Sequence, residues 1–336
     1  MLRVGLLGAG RIGQVHAGNI AAHTESELAA VSDINRSASD KLARAYGAAS
    51  RGTDEILADS SIDAVLVATS TDTHSDLIEA ATAAGKAVLC EKPVDLDLQR
   101  ARSCMKTAEK TRQPVMIGFN RRFDPNFSLL KKSFDSGEIG SGELLSLTSY
   151  DPAPPPVSYI KVSGGLFRDM AIHDFDMACW IFADVPEYVS ATGTCIVDSA
   201  IGEAGDVDTA VTTLHFSAGR LAVIKNSRRA VYGYDQRIEL LGSGGLLSAG
   251  NVVENTLSRS SVDGVVAAKP EFFFLERYAR AYAAEWSAFV RIVLDGSPPP
   301  VTLRDGVNAL AVAEAATIAA KTNRTVATRE MLGPSA

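Results

Sequence analysis

The feature that most constrains the fold is a glycine-rich turn near the N terminus. The segment Gly8-Ala9-Gly10-Arg11-Ile12-Gly13 fits the pattern G-x-G-x-x-G, and it lies between the apolar run 4–7 and a helical pattern over 12–22. The first glycine permits a tight turn, the second lets the backbone approach a pyrophosphate, and the third lets the helix pack closely on the strand. We therefore predict a dinucleotide site, with the backbone N–H groups at Arg11 and Ile12 facing the phosphates.

A carboxylate at the end of the second predicted strand indicates which dinucleotide is bound. Asp33 follows the apolar run 28–32, where its oxygens can accept hydrogen bonds from ribose hydroxyls and would repel a 2′-phosphate. This favours NAD over NADP. Arg36 leaves the choice partly open, because an arginine there either accommodates a 2′-phosphate or is simply a solvated residue at the start of a helix.

The first 118 residues alternate between strand and helix signals. Short apolar runs at 4–7, 28–32, 64–68, 87–90 and 115–117 are separated by helical patterns at 12–22, 37–46, 73–84 and 97–112. Such alternation is typical of a parallel sheet covered on both faces. We therefore predict an α/β protein whose residues 1–118 form an N-terminal Rossmann dinucleotide-binding domain.

The pattern changes after Phe119. Strand-like segments at 143–150, 187–198, 208–217, 220–228 and 236–242 follow one another, with a hairpin expected between Leu214 and Leu221. Helices are predicted at 169–182, 275–294 and 304–321. Runs of strands of this kind predict a C-terminal α/β domain, residues 119–336, with a largely antiparallel open sheet. The sequence leaves open whether the 304–321 helix packs on the first domain.

Composition excludes several classes of function. The net charge is −7 and there is no basic stripe, so we expect no nucleic-acid partner. The N terminus lacks the regions of a signal peptide, and no apolar run reaches the roughly 20 residues needed to span a bilayer. We therefore expect a cytoplasmic protein with no membrane association. The four cysteines show no C-x-x-C spacing, which argues against structural zinc.

The loop 68–74, Ala-Thr-Ser-Thr-Asp-Thr-His, follows the strand run at 64–68. Loops at the carboxyl ends of such strands run along the cofactor, so the hydroxyls of Thr69 and Thr71 are candidates for contact with ribose or phosphate oxygens. Asp72 or Thr73 could equally cap the next helix. His74 is a candidate cofactor contact, although a surface position at the start of that helix is the simpler interpretation.

Two segments carry residues suited to alcohol oxidation. Lys92, in Cys90-Glu91-Lys92-Pro93, follows the fifth strand and would point over the expected nicotinamide position. Asp169, His173 and Asp176 have the spacing i, i+4 and i+7, which places them on one face of a helix. A histidine flanked by carboxylates can serve as the base that takes a hydroxyl proton. A structural His–Asp cluster remains an alternative, and a metal site is disfavoured because no second histidine or cysteine has matching spacing.

The glycine fingerprint, Glu91-Lys92-Pro93 and the segment Gly164-Gly165…Asp169-x-x-x-His173 together resemble the glucose–fructose oxidoreductase/inositol dehydrogenase (Gfo/Idh/MocA) family. The resemblance covers essentially the whole chain. The stretches 118–125 and 226–237 extend it toward the inositol-oxidising members. It implies a cyclic polyol as substrate and a homo-oligomer, expected to be a homotetramer. The residues themselves predict NAD as cofactor and no metal.

The same resemblance implies roles for individual residues. Lys92 would hold the reacting hydroxyl, His173 would be the general base, and Asp169 would be its partner. The implied substrate-binding residues are Asp176, Arg121, Arg122, Asp151, Tyr232 and Tyr234. The candidate cofactor-binding residues are Gly8, Gly10, Arg11, Ile12, Gly13, Asp33, Arg36, Thr69, Thr71, His74, Glu91 and Lys92. The expected reaction is oxidation of myo-inositol to 2-keto-myo-inositol (scyllo-inosose).

Other functions remain open at this point. Another inositol isomer or an aldose could be the substrate, since all are uncharged rings rich in hydroxyls. An NAD-dependent glycosidase that oxidises its substrate transiently would use the same fold. A non-catalytic NAD-binding sensor is also compatible with the fold, but it would not need residues such as Lys92 and His173. The sequence does not rank the inositol isomers, and it does not decide between Arg121 and Arg122 for the substrate pocket.

Overall fold

The computed structural model describes residues 1–333 and divides into two compact units. The first contains Met1–Phe123 and Ala281–Leu310, and the second contains Asp124–Arg280 and the chain from Ala311 onward. The first segment of unit 1 thus ends five residues after the expected domain boundary at 118/119. Residues 281–310 were expected in the C-terminal domain, but they belong to unit 1. Helix 303–322 contributes to both units.

Unit 1 is built on a parallel sheet. Its strands are β1 (Leu2–Leu7), β2 (Ser26–Ser32), β3 (Ala49–Ser50), β4 (Ala64–Val67), β5 (Ala87–Glu91) and β6 (Val115–Gly118). Its helices before residue 123 are α1 (Arg11–Ala22), α2 (Arg36–Tyr46), α3 (Thr53–Ala58), α4 (His74–Ala83) and α5 (Leu98–Glu109). The strand order β3-β2-β1-β4-β5-β6 is that of a Rossmann fold, as predicted.

The burial of these strands explains the fold. Every residue of β4, β5 and β6 is buried, as a parallel sheet covered on both faces requires. The strand order reverses between β1 and β4, and the crevice at such a point is where dinucleotides bind. Local signals mark the ends of the helices. For example, Asn35 caps the start of α2, and Gly47 ends it with a φ of +70°.

Unit 2 contains a seven-stranded mixed sheet. Its strands are β7 (Gly142–Tyr150), β8 (Tyr188–Thr194), β9 (Thr209–His215), β10 (Leu221–Ser227), β11 (Asp235–Gly242), β12 (Gly245–Ala249) and β15 (Val326–Ala327). The order is β12-β11-β7-β10-β9-β8-β15, and only the β7–β10 pair is parallel. The prediction of a largely antiparallel sheet is confirmed, as is the β9–β10 hairpin. A separate exposed hairpin joins β13 (Ser258–Ser261) to β14 (Gly264–Ala267).

The helices of unit 2 include those that carry Asp169, His173 and Asp176. They are α6 (Pro125–Asp135), α7 (Val157–Ser163), α8 (Gly165–Asp169), α9 (Ile172–Phe182), α10 (Ser199–Glu203), α11 (Phe274–Arg277) and α14 (Arg329–Leu332). The two long helices are α12 (Ala279–Asp295) and α13 (Leu303–Thr322). Phe175 of α9 is fully buried. Burying a side chain of this kind contributes about 1.5–3 kcal/mol, which holds α9 in the core of unit 2.

Candidate active site

The glycine loop leaves space for a ligand at one glycine only. Gly8 has a φ of +105°, and a Cβ on it would lie 2.3 Å from the carbonyl oxygen of Ala68. A Cβ on Gly13 would lie 2.1 Å from the carbonyl oxygen of Gly8. Around Gly10, by contrast, the described residues place no atom within 4 Å of such a Cβ. Gly8 and Gly13 are therefore required by the protein's own packing, whereas the space at Gly10 is open to a pyrophosphate.

The N terminus of α1 is suited to an anion. Gly10 is its N-cap residue, and no side chain caps the helix there. The first backbone N–H groups of an α-helix have no acceptor within the helix itself. Together with the helix dipole they form a phosphate-binding site. The residues present thus fit a dinucleotide.

Asp33 lies between the glycine loop and the start of α2. One of its carboxylate oxygens accepts a hydrogen bond from the N–H of Ala9 at 2.6 Å, and the other accepts one from Asn35 at 2.7 Å. Arg36 is directed to the protein itself, because its side chain donates to Asp40 at 3.2 Å and to the carbonyl of Ser50 at 3.1 Å. This arrangement favours Asp33 over Arg36 as the group that reads the ribose.

The loop after β4 is fixed by its own hydroxyls and by His74. Thr69 and Thr73 share a hydrogen bond of 2.7 Å, and Thr71 begins a short 3₁₀ turn. The expectation that His74 is a surface residue was wrong, since it is 1% exposed. Burial lowers the pKa of its ring, although hydrogen bonds with two carbonyl oxygens act in the opposite direction.

Those two carbonyls explain why His74 is buried. Its Nδ1 lies 2.8 Å from the oxygen of Pro93 and its Nε2 lies 3.2 Å from that of Thr69. The ring therefore links the loop after β4 to the segment that carries Lys92. His74 would therefore affect cofactor binding indirectly, by fixing the positions of these two backbone segments.

Lys92 is half-buried at the end of β5, and the Lys92–Pro93 peptide is cis. The preceding Glu91 is buried, and its Oε1 lies 2.8 Å from Nε2 of His16 on α1. Its other oxygen accepts a hydrogen bond from the N–H of Lys92 at 3.3 Å. The side chain of Glu91 thus anchors the backbone that presents Lys92. The sequence had suggested Glu91 only as a cofactor-binding residue.

The segment containing Asp169, His173 and Asp176 is not one helix. Asp169 ends α8, and α9 begins at Ile172 after a turn at Met170–Ala171. The prediction of a continuous helix over 169–182 was wrong. Met170 keeps right-handed helical backbone angles (φ −94°, ψ −59°). The chain therefore does not reverse its direction at the turn between α8 and α9.

Asp169 and His173 occupy half-buried positions, whereas Asp176 is 1% exposed. The hydroxyl of Tyr159, on α7, donates a hydrogen bond to Asp169 at 2.9 Å. The fully buried Arg228 places Nη1 3.9 Å from the same carboxylate. Sequence reasoning did not identify Tyr159 or Arg228 as neighbours of Asp169. The only signal for Arg228 was its place in the stretch 226–237.

The remaining substrate candidates are held in different ways. Tyr232 donates a hydrogen bond to Asp235 at 2.6 Å. Burial, together with this bond, raises the pKa of Tyr232 to about 12. Tyr234 is buried and packs edge-to-face on Tyr278. Asp151 is half-buried, and its backbone bonds to Ser227 and Ala230.

Two neighbouring arginines, Arg121 and Arg122, follow β6. Both are buried. Arg122 donates to the carbonyl of Pro300 at 3.2 Å and pairs with Asp305 at 3.1 Å. Burial of Asp305 favours its neutral form, but Arg122 and hydrogen bonds from Thr302 hold its pKa below the usual value. Arg122 thus has a structural role within unit 1.

Residues 1–333 contain neither a cluster of metal ligands nor a helix suited to a bilayer. No group of three or more His, Cys, Asp or Glu side chains in this range is placed to hold a metal ion. No helix in the same range has both the length and the hydropathy needed to cross a membrane.

Residues 2–119 match the oxidoreductase family with an NAD-binding Rossmann fold (GFO_IDH_MocA), and residues 127–248 match the GFO/IDH/MocA C-terminal domain. The chain is a member of the Gfo/Idh/MocA family of oxidoreductases. The expected family, fold class, enzymatic nature and NAD cofactor are therefore confirmed.

Individual members of the family are similar to this chain over nearly its whole length. It is 47% identical to the inositol 2-dehydrogenase of Rhizobium meliloti, across 94% of this chain and 96% of that protein. A myo-inositol dehydrogenase structure from Corynebacterium glutamicum superposes with a TM-score of 0.94, at 43% identity and full coverage of both chains. A scyllo-inositol dehydrogenase from Lactobacillus casei with bound NAD(H) and scyllo-inositol gives 0.91, at 29% identity, covering 98% and 99%.

Proposed function

We propose that this chain is an inositol 2-dehydrogenase that oxidises myo-inositol to 2-keto-myo-inositol with NAD. The observation that carries the proposal is 47% identity, across 94% of the chain, to an inositol 2-dehydrogenase. The open glycine loop and the position of Asp33 support NAD as the oxidant. When bound, NAD accepts the hydride that leaves the carbinol carbon.

His173 is proposed as the general base that removes the hydroxyl proton. A half-buried imidazole at the start of α9 is suited to this task, because its ordinary pKa lies close to physiological pH. We propose that Asp169 orients the ring and stabilises its protonated form. Tyr159 and Arg228 contact the Asp169 carboxylate, which supports a fixed orientation of that carboxylate.

Lys92 is proposed to donate a hydrogen bond to the reacting hydroxyl oxygen and to hold it for deprotonation. The Glu91 side chain and the His74 ring fix the backbone on either side of Lys92. Fixing the reacting groups in line is the main contribution that such a site can make to rate. Asp176, Arg121, Asp151, Tyr232 and Tyr234 are proposed to bind the other ring hydroxyls. Arg122 is proposed to support the fold of unit 1 through Pro300 and Asp305.

Scyllo-inositol is the second candidate substrate, because a family member that binds it has nearly the same fold. The inositol 2-dehydrogenase of Rhizobium meliloti and the myo-inositol dehydrogenase of Corynebacterium glutamicum are 47% and 43% identical to this chain. The scyllo-inositol dehydrogenases of Bacillus subtilis and Lactobacillus casei are 34% and 29% identical, and this difference favours myo-inositol. We also propose that the protein acts in the cytoplasm as a homotetramer. Light scattering coupled to size-exclusion chromatography would give its subunit number.

The experiment that tests the substrate is a panel of initial rates of NADH formation with myo-, scyllo- and chiro-inositol, glucose and galactose. We expect kcat/KM for myo-inositol to exceed that for every other compound. A higher value for scyllo-inositol or for an aldose would overturn the substrate while leaving the chemistry intact. NAD binding without NADH formation from any compound would overturn the dehydrogenase itself.

A further inference from the structure

The buried face of the sheet in unit 2 changes from apolar to polar side chains along three neighbouring strands. On β7, β10 and β11, residues in register form rows across the sheet. Two rows are entirely apolar and buried: Leu145, Ala222 and Leu240, then Leu147, Ile224 and Ile238. The next row is Ser149, Asn226 and Gln236, and each of these polar residues is 1% exposed. A polar row in this position requires a polar partner, because burying such groups without hydrogen bonds is costly.

That partner is Asp174, the residue directly after His173. Asp174 lies on α9 and is 1% exposed. Its Oδ1 accepts a hydrogen bond from the hydroxyl of Ser149 at 2.6 Å, and its Oδ2 accepts one from the side-chain amide of Asn226 at 2.8 Å. The two oxygens are thus bound to adjacent strands. This arrangement fixes both the rotation of α9 and its position along the sheet.

The row continues to the third strand. The Ser149 hydroxyl lies 3.0 Å from the side-chain amide of Gln236, and the Tyr278 hydroxyl lies 3.3 Å from the same amide. Apolar packing alone tolerates small rotations of a helix, because it has no preferred direction. A carboxylate held by two donors on two strands does not tolerate them, and buried polar contacts of this kind can specify one arrangement among several of similar energy.

We propose that Asp174 is the positioning residue of the active site: through Ser149 and Asn226 it sets the orientation of His173 and Asp176. This inference rests on the proposed function, because it takes His173 to be the base. Displacements of about 1 Å can lower the rate about a hundredfold when reacting atoms must be aligned. A change at Asp174 should therefore lower kcat without altering NAD affinity, since the NAD-binding residues belong to unit 1.

The contact offers a reciprocal exchange as a test. In Asp174→Asn the new amide faces the amide of Asn226, and in Asn226→Asp two carboxylates face each other. The double variant D174N/N226D restores one donor and one acceptor across the contact. We expect kcat to fall at least about tenfold in each single variant and to recover to within about threefold of wild type in the double variant. NAD affinity, measured by fluorescence titration, should stay unchanged in all three.

Further variants separate positioning from loss of stability. Ile224→Val lies on the same strand as Asn226 and shortens a buried side chain without removing a hydrogen bond. It should lower the Tm but leave kcat unchanged when rates are measured well below the Tm. Ser149→Ala is a milder change that keeps the proposal testable if the single charge variants do not fold. It should lower kcat about threefold or more, with its fold intact by circular dichroism.

Two results would overturn the inference. One is a normal kcat in folded Ser149→Ala and in folded Asp174→Asn. The other is a double variant that folds but recovers no activity. His173→Ala distinguishes this failure from failure of the proposed function. If His173→Ala is inactive while Asp174→Asn is normal, the base assignment stands and only the positioning role is lost. If His173→Ala is itself active, the proposed mechanism fails first.

Discussion

The Nε2 atom of His16 lies 2.8 Å from Oε1 of Glu91, one residue before Lys92. Glu285, on α12, is fully buried in the same unit, and neither of its side-chain oxygens has a hydrogen-bond partner among the described residues. Burial, together with the nearby Glu91, raises the pKa of Glu285 well above its usual value. The interior beneath Lys92 thus contains a carboxyl group that favours its protonated form.

Glu285→Gln should change the pH dependence of stability. Because the pKa of Glu285 is higher in the folded state than in the unfolded state, its contribution is complete below about pH 4.5 and is lost as the pH rises. The wild-type protein should therefore lose up to about 1 kcal/mol per pH unit above that point relative to Glu285→Gln. Urea unfolding at several pH values measures this difference. Parallel pH curves for the two proteins would contradict the prediction.

Asp33→Ser should change the choice of cofactor. The substitution removes the carboxylate proposed to bind the ribose hydroxyls and to repel a 2′-phosphate, and it also removes the hydrogen bond to Ala9. We expect KM for NAD to rise about tenfold or more, and the preference for NAD over NADP to shrink. Arg36→Ala is the matched control, because its side chain is bound to Asp40 and Ser50. An unchanged NAD/NADP ratio in Asp33→Ser would mean that Asp33 does not read the ribose.

Substitutions of the two neighbouring arginines, Arg121 and Arg122, should affect different properties of the protein. Arg122→Ala leaves Asp305 and Pro300 without their partner, and breaking an ion pair with a buried member costs about 3 kcal/mol. We expect a lower Tm with nearly normal kcat. Arg121→Ala should instead raise KM for myo-inositol, because Arg121 is proposed to bind the ring hydroxyls. Thermal unfolding and initial rates on both variants measure this pair of effects, and an exchange of the two phenotypes would reverse the assignment.

His173→Ala should lower kcat by about a hundredfold or more, because it removes the proposed base. NAD affinity should not change. His215→Ala is the control, since His215 lies exposed on β9. Near-normal turnover in His173→Ala would exclude the base assignment.

Much of the fold can be predicted from the sequence because its signals are local. The glycine loop, the apolar strands of unit 1 and the helix-ending glycines each specify their structure through neighbouring residues. The turn at Met170–Ala171 could not be predicted in this way. Its residues are good helix formers, and the break separates two helices whose periodicity continues across it.

The contacts around the candidate site depend on residues that are far apart in the chain. His74 has the spacing of a residue at the start of a helix, yet it is buried because the carbonyls of Thr69 and Pro93 converge on its ring. Asp174 directly follows His173 on α9 and therefore lies on a different face of the helix. That Ser149 and Asn226 lie under it follows only from the register of β7 and β10. Polar residues in strands do not reveal this register by themselves.

The most direct test of the central claim is to follow deuterium from C2 of myo-inositol. The protein is incubated with NAD and with myo-inositol that carries deuterium only at C2, and the NADH and the ketone are analysed by mass spectrometry. Hydride transfer from C2 predicts NADH that carries the deuterium, together with unlabelled 2-keto-myo-inositol. NADH that forms without the label, or a ketone that retains it, would contradict oxidation at this carbon.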